Sequence, residues 1–207
     1  DCILVGRIGD FGYYDRMCTR YQSSIDLVQN TFRDQGIEVL PFNVDYRTKD
    51  FELRSFVDMG KKLGKHRAES VLAYRKAKKV YTDLLKERER KLEESLKSDK
   101  IKILLVGHKY NTYDDFTGKI IEDSLKKMGA DLIFATDMEG SKADFYSKEV
   151  TETMPWTYNR ELLGATNRLR DEVDGIVLLS SFNCGPDSMA NEMLIRRIKG
   201  KPILNLI

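Results

Sequence analysis

The sequence predicts an α/β protein of two doubly wound lobes, each built on a parallel sheet, joined by long helices. Two observations carry this. Over roughly the last hundred residues, apolar runs of strand length alternate with segments of helix length. A shorter alternation of the same kind opens the chain, and about fifty residues dense in Lys, Glu, Arg, Ala and Leu, with almost no strand character, stand between the two. The predicted organisation is a partial lobe over 1–50, a helical linker over 51–99 and a lobe with a four-stranded sheet over 100–207.

Residues 2–8 (CILVGRI) are an apolar run that turns into a glycine-containing loop over 9–15, as a buried strand entering a functional loop does. Between 21 and 35, Ile25, Leu27, Val28 and Phe32 approximate one helical face, and Gly36 supplies a stop. Residues 39–44 read as the next strand. Gly60 and Gly64 then divide the helical region into a short helix and a long one over roughly 65–97. Val71, Ala77, Val80, Leu84 and Leu85 give the long helix a narrow apolar stripe, whereas ERERKLEES is charged on nearly every side, as a solvated linking helix is.

Beyond Ser98 the pattern predicts strands at 101–107, 131–136, 175–182 and 202–207, and helices at 116–128, 158–171 and 187–199. Residues 144–153 read as irregular or weakly helical. This alternation implies a parallel sheet with helices on both faces. Right-handed crossovers make it a lobe of the Rossmann or flavodoxin kind, with a ligand crevice at the carboxyl ends of the strands. The loops at that end are 108–115, 136–140 and 181–187.

Charge and apolar content narrow the function classes. A net charge of +2, the difference between 35 basic and 33 acidic residues, gives no field that would draw nucleic acid. No run of about 18 apolar residues is present and no charged-then-apolar leader opens the chain, so a cytoplasmic protein without a membrane span is expected. The chain starts in one apolar run and stops in another, which reads as a piece excised from a larger protein. Its three cysteines, Cys2, Cys18 and Cys184, are too scattered and odd in number for a secreted disulfide framework. Cys2, inside an apolar strand, reads as a buried structural residue.

Cys184 lies in SSFNCGPDS, between a predicted strand and a predicted helix, with Gly185 suited to a tight turn and Pro186 to a first helical turn. Free amide hydrogens and the helix dipole favour a thiolate at such a place, as a nucleophile or a metal ligand. The alternative is a small residue filling a loop. Cys18, in DRMCTRYQSSIDLV, stands likewise just ahead of a helix, and the two sulfurs could converge on one cleft between the lobes. Neither belongs to a short Cys-x-x-Cys pair. In the 107–114 loop, His108 is a candidate acid or base, and Tyr110 and Asn111 are candidate donors. Asp114 or Thr117 either caps the following helix or faces a ligand. His66 reads as a surface residue. Phosphate-loop, dinucleotide, zinc-protease and nucleophile-elbow motifs are all missing.

Three segments together resemble one family. VGHKYNTYDD is similar to a Gly-Arg-Pro-Tyr-Asn-x-Tyr-Asp segment, SSFNCGPDS to Phe-Gly-Cys-Gly-Pro-Asp-Ser, and MCTRYQSSIDLV to Cys-Pro-Lys-x-x-Gly-Leu-Pro-Asp. These occur in this order in the uncharacterised proteins associated with CoA-enzyme activases, relatives of the 2-hydroxyacyl-CoA dehydratase subunits. MPWTYNRELLGATNRLRDEVDGIVLL is similar to the lead-in to the second of those segments. His108 and Lys109 depart from Arg-Pro, Asn183 from Gly, and Thr19 from Pro.

The resemblance implies α/β lobes whose loops present cysteines to a [4Fe-4S] cluster, with Cys18 and Cys184 as the ligand candidates and Gly185 beside the cofactor. It also implies an ATP-dependent activase as partner, supplying a low-potential electron, and an acyl-CoA thioester as substrate. Tyr110, Asn111, Asp187, His108 and Asp114 are then substrate-facing or supporting candidates. Two roles follow from it: a reductase or dehydratase component, or a non-catalytic electron relay or regulatory module that docks on the activase. A lobe that binds a small molecule and has no cluster is the third reading, in which Cys18 and Cys184 lie far apart.

Overall fold

The computed structural model describes residues 2–8, 17–44 and 51–207. The loop expected over 9–15 lies outside the described residues. The chain forms two compact α/β units, Asp1–Asp83 and Leu84–Ile207, and the boundary falls inside one continuous helix.

In the first unit, β1 (Cys2–Ile8) pairs in parallel with β2 (Glu38–Val44), Leu4 beside Leu40. Helix α1 (Thr19–Thr31) makes the crossover that parallel pairing demands and buries Ile25. A 3-10 turn at Arg33–Gln35 follows, and Gly36, at φ 64, is the left-handed stop expected of it. Helix α2 (Phe51–Lys62) buries Ser55 and Met59 and sets Phe56 edge-on against Phe42 of β2, ring centres 5.0 Å apart. Helix α3 (Arg67–Leu96) is anchored to α2 through Glu52, which accepts from Tyr74 at 2.8 Å and from Lys78 at 2.5 Å. Gly60 lets the two helices approach, because a Cβ there would lie 1.9 Å from Ser70 Oγ.

Cys2 is exposed, not the buried structural cysteine its apolar run suggests. Among the described residues β1 has a strand on one side only, and Cys2, Ile3, Leu4 and Val5 alternate between exposed and half-buried. The apolar stripe of α3 is likewise open to solvent, with Val80 and Leu84 both exposed. His66 is at the surface, as expected.

The second unit holds a four-stranded, all-parallel sheet in the order β4-β3-β5-β6. The strands are β3 (Lys102–Val106), β4 (Asp131–Phe134), β5 (Gly175–Leu179) and β6 (Ile203–Leu206). Between them run α4 (Lys109–Thr112), α5 (Gly118–Lys127), α6 (Gly140–Ser147), α7 (Thr157–Leu169) and α8 (Gly185–Arg197).

Strand alternation sorts the core into two layers. Leu104, Val106, Ile176 and Leu178 pack with Leu163, Leu169 and Leu194 of α7 and α8, and with Leu92 from the end of α3. Leu105, Val177 and Leu179 point the other way, toward Ile121 of α5. Helices therefore cover both faces, as right-handed crossovers require. Each fully buried Leu contributes about 1.5–3 kcal/mol, and every residue of β5 is buried, the mark of a central parallel strand.

Three segments differ from expectation, the first being the short helix α4 inside the loop read over 108–115. Residues 140–147 form a helix that takes in only the first four of the 144–153 stretch read as irregular or weakly helical, the rest of which is irregular. The Glu139 carboxylate caps α6 by accepting from the Ser141 and Lys142 amides. Helix α6 then crosses α7 so closely that a Cβ on Gly164 would lie 1.7 Å from the Ala143 carbonyl oxygen. Strand β5 ends at Leu179, three residues short of the predicted 182, because the chain turns at 180–184, with Asn183 at φ 68.

Candidate functional site

After β3 the chain leaves for one edge of the sheet, through α5 to β4. After β5 it leaves for the other, through α8 to β6. Adjacent strands whose connections depart in opposite directions leave a crevice at their carboxyl ends. Gly107 closes the gap between the two loops there, since a Cβ on it would meet the Leu179 carbonyl oxygen at 2.5 Å. Only glycine allows this approach, and it delivers His108 to the loop that carries Cys184.

His108 and Asp187 meet across the crevice, Nε2 to Oδ1 at 2.7 Å. Asn159, from the first turn of α7, donates to the same oxygen at 2.8 Å. The Asp187 side chain is 4% exposed and that of His108 12%. Burial opposes ionisation of Asp187, but the hydrogen bond and charge of His108, with hydrogen bonds from Asn159 and the Cys184 thiol, hold its carboxyl below the usual range. The position of Asp187 in the first turn of α8 favours the anion as well. With Asp187 ionised, the hydrogen between the two side chains belongs to His108 Nε2. The imidazole is walled by two phenol rings, Tyr110 stacked at 5.2 Å and Tyr158 edge-on at 6.1 Å.

Cys184 is the N-cap residue of α8 and uses its backbone: its carbonyl accepts from Ser188 Oγ at 2.9 Å, and its side chain makes no capping bond. The left-handed position of this turn is Asn183; Gly185, for which a tight turn was expected, has an ordinary φ and open space around it. Asn111 ties the two loops together, accepting from Ser181 Oγ at 2.8 Å. Asp114 spends Oδ2 on the Phe116 and Thr117 amides and the Thr117 hydroxyl, at 2.8–2.9 Å, which organises the start of α5. Those same bonds hold its carboxyl below the usual range.

The structure thus gathers His108, Tyr110, Cys184 and Asp187 at one point of the second unit, with Asn111 beside them. A donor atom from each of His108, Cys184 and Asp187 lies within 4.8 Å of the other two. Cys18 is the N-cap of α1, in the first unit. Asn159 is the participant that sequence reasoning passed over. Its signal is an amide on the buried face of α7, in register with Leu162, Leu163 and Thr166.

A second group of ionisable residues sits where β3 and β4 end. The Tyr113 hydroxyl donates to Asp137 Oδ1 at 2.6 Å, its ring stacks on Phe134 at 5.0 Å, and the Arg88 guanidinium covers it at 5.1 Å. Burial raises the pKa of Asp137, Glu161 and Tyr113. Burial, aided by Arg88, lowers that of Lys109.

The donors at Cys184 do not by themselves match an iron–sulfur cube. Such a cluster is held by four thiolates as a rule, and the second unit has a single cysteine. What stands beside Cys184 is an imidazole and a carboxylate.

A family model described as the CoA enzyme activase uncharacterised domain matches residues 10–138, more than half of the 207. The match includes Cys18, His108, Tyr110, Asn111 and Asp114 and stops before Asn159, Cys184 and Asp187. No curated protein and no solved structure matches the chain. Among the described residues, no helix is long and apolar enough to cross a membrane.

Proposed function

We propose, from the premise that the chain belongs to the family of the CoA enzyme activase uncharacterised domain, that it works beside an ATP-dependent activase. In this reading it takes up a low-potential electron at an iron centre and serves the reduction or dehydration of a CoA thioester. The observation that supports it is the placement of Cys184 at the N-terminus of a 13-residue helix, in the crevice where the strand order reverses. Amide dipoles at such a site favour a thiolate, the form in which cysteine binds iron.

A [4Fe-4S] cluster, which stores one electron, is the group the resemblance implies. Cys184 is the ligand candidate of the second unit, and further thiolates have to join it. The chain's own contribution is to hold Cys184 on α8 and to wall the site with Tyr110 and Tyr158.

The test is electron uptake by the full-length protein, purified without oxygen and mixed with its activase, ATP and a low-potential reductant. ATP-dependent reduction of protein-bound iron, absent in Cys184→Ala, is the expected result. Iron that stays oxidised under these conditions overturns the reading.

A further inference from the structure

The donors beside Cys184 are of three kinds, one sulfur, one nitrogen and one carboxylate oxygen, mutually within 4.8 Å. We infer that the crevice of the second unit binds a single divalent transition-metal ion through Cys184 Sγ, His108 and Asp187. The inference rests on the reading that Cys184 is a metal ligand, and it assigns His108 and Asp187 to the same ion.

Three observations carry it. Asp187 is nearly inaccessible, and its Oδ2 is buried with no nitrogen or oxygen donor in hydrogen-bonding reach among the described residues, while the bond the carboxylate receives from the Cys184 thiol is one that a shared metal ion would replace. A buried carboxylate oxygen costs stability unless something pairs with it, and a cation is the pairing that best offsets its charge. His108 and Asp187 already face each other at 2.7 Å, so the two donor atoms are aimed at one point and need only separate slightly to share an ion. The donors also come from rigid positions: the first turn of α8 fixes Cys184 and Asp187, and Gly107 against Leu179 fixes the loop of His108.

Ligand atoms on one tetrahedral zinc or iron stand about 3.3–3.8 Å apart, as metal–ligand distances of about 2.0–2.3 Å dictate. Binding therefore takes movements on the order of 1 Å, which close the widest separation and open the 2.7 Å His108–Asp187 pair. On binding, the thiol gives up its proton to solvent and sulfur donates the freed lone pair. His108 ligates through Nε2 with one hydrogen kept on Nδ1, any second ring proton leaving to solvent, and Asp187 donates from a carboxylate oxygen. Asn159 keeps its bond to Oδ1 and orients the carboxylate, a supporting contact of the kind that tunes metal sites. Three protein ligands leave a position for solvent or a substrate oxygen, as in catalytic rather than structural sites. Mixed sulfur, nitrogen and oxygen donors suit Zn²⁺ or Fe²⁺ better than Mg²⁺ or Ca²⁺.

The experiment is a titration of chelator-treated full-length protein with Co²⁺ under anaerobic conditions, followed by absorption. The expected result is one Co²⁺ per chain, with thiolate-to-cobalt charge-transfer bands and tetrahedral ligand-field bands. Cys184→Ser should remove the charge-transfer bands, and His108→Ala and Asp187→Asn should each weaken binding by at least about tenfold. Cys2→Ser, at an exposed cysteine outside the crevice, should leave all of this unchanged. Asp187→Asn keeps the shape of the side chain, and an unaltered circular dichroism spectrum separates lost binding from lost folding.

Unchanged binding in His108→Ala and Asp187→Asn overturns the inference. So does iron accompanied by equimolar acid-labile sulfide and lost in both Cys18→Ser and Cys184→Ser, but that outcome leaves the activase reading standing. If Co²⁺ binds as expected while the activase and ATP do not reduce the iron-loaded protein, the inference stands and the activase reading fails.

Discussion

His108 and Asp187, 79 positions apart in sequence, meet at 2.7 Å across the crevice of the second unit. Asp187 Oδ1 also accepts from Asn159, so one buried oxygen joins the loop after β3, the first turn of α7 and the first turn of α8. Removing that carboxylate leaves two buried donors without an acceptor. Asp187→Ala is expected to cost about 2–4 kcal/mol. A urea melt of the full chain checks it, and a change below about 0.5 kcal/mol would mean that the three elements are held together by other contacts.

Glu161 supplies the pH prediction. Burial raises its pKa above the ordinary value of 4.5, with the charges of Asp144 and Glu139 adding to the rise and those of Lys109 and Arg160 opposing it. A carboxyl whose folded pKa is raised binds its proton more tightly in the folded state. Its contribution is full below the unfolded pKa and is lost as pH rises through the folded one. Glu161→Gln should therefore be more stable than the native chain at pH 7 and lose that advantage below about pH 4. Melting temperatures at the two pH values decide it, and an advantage that grows on acidification contradicts the burial account.

The crossing of α6 and α7 depends on the missing side chain of Gly164. Because a Cβ would sit 1.7 Å from the Ala143 carbonyl oxygen, Gly164→Ala has to push two packed helices apart. The expected cost is about 3 kcal/mol or more, at or above the usual range for overpacking. Thermal unfolding measures it, and a neutral effect would place the helices farther apart.

Asn183 holds a left-handed backbone conformation, φ 68, immediately before Cys184. Asparagine is among the few residues besides glycine that adopt this conformation at low cost. Asn183→Gly should change stability by no more than about 1 kcal/mol, whereas Asn183→Val should cost about 1–3 kcal/mol. Equal stability of the two variants would show that the turn does not impose this backbone.

Periodicity made the second unit legible. Its four strands and three of its helices follow from alternation alone, because parallel strands buried on both faces read as unbroken apolar runs such as GIVLL at Gly175–Leu179. Helix α6 was hidden because its first turn is secured by a side-chain cap from Glu139 and its packing by Gly164, neither of which leaves an apolar period. Cys184 and His108 were visible as chemistry-bearing residues on loops at the correct end of the sheet. Their adjacency was not, since it depends on the order β4-β3-β5-β6 and on the approach of Gly107 to Leu179. The exposure of Cys2 was equally unreadable, because an apolar run does not say whether a strand has neighbours on both sides.

The account depends on Cys184 being a metal ligand in an activase-linked protein. Its most direct test is the iron content of full-length protein prepared without oxygen, compared with Cys184→Ala prepared in parallel. The account predicts stoichiometric iron in the first and a loss of most of it in the second. Equal iron in both, or none in either, would contradict it.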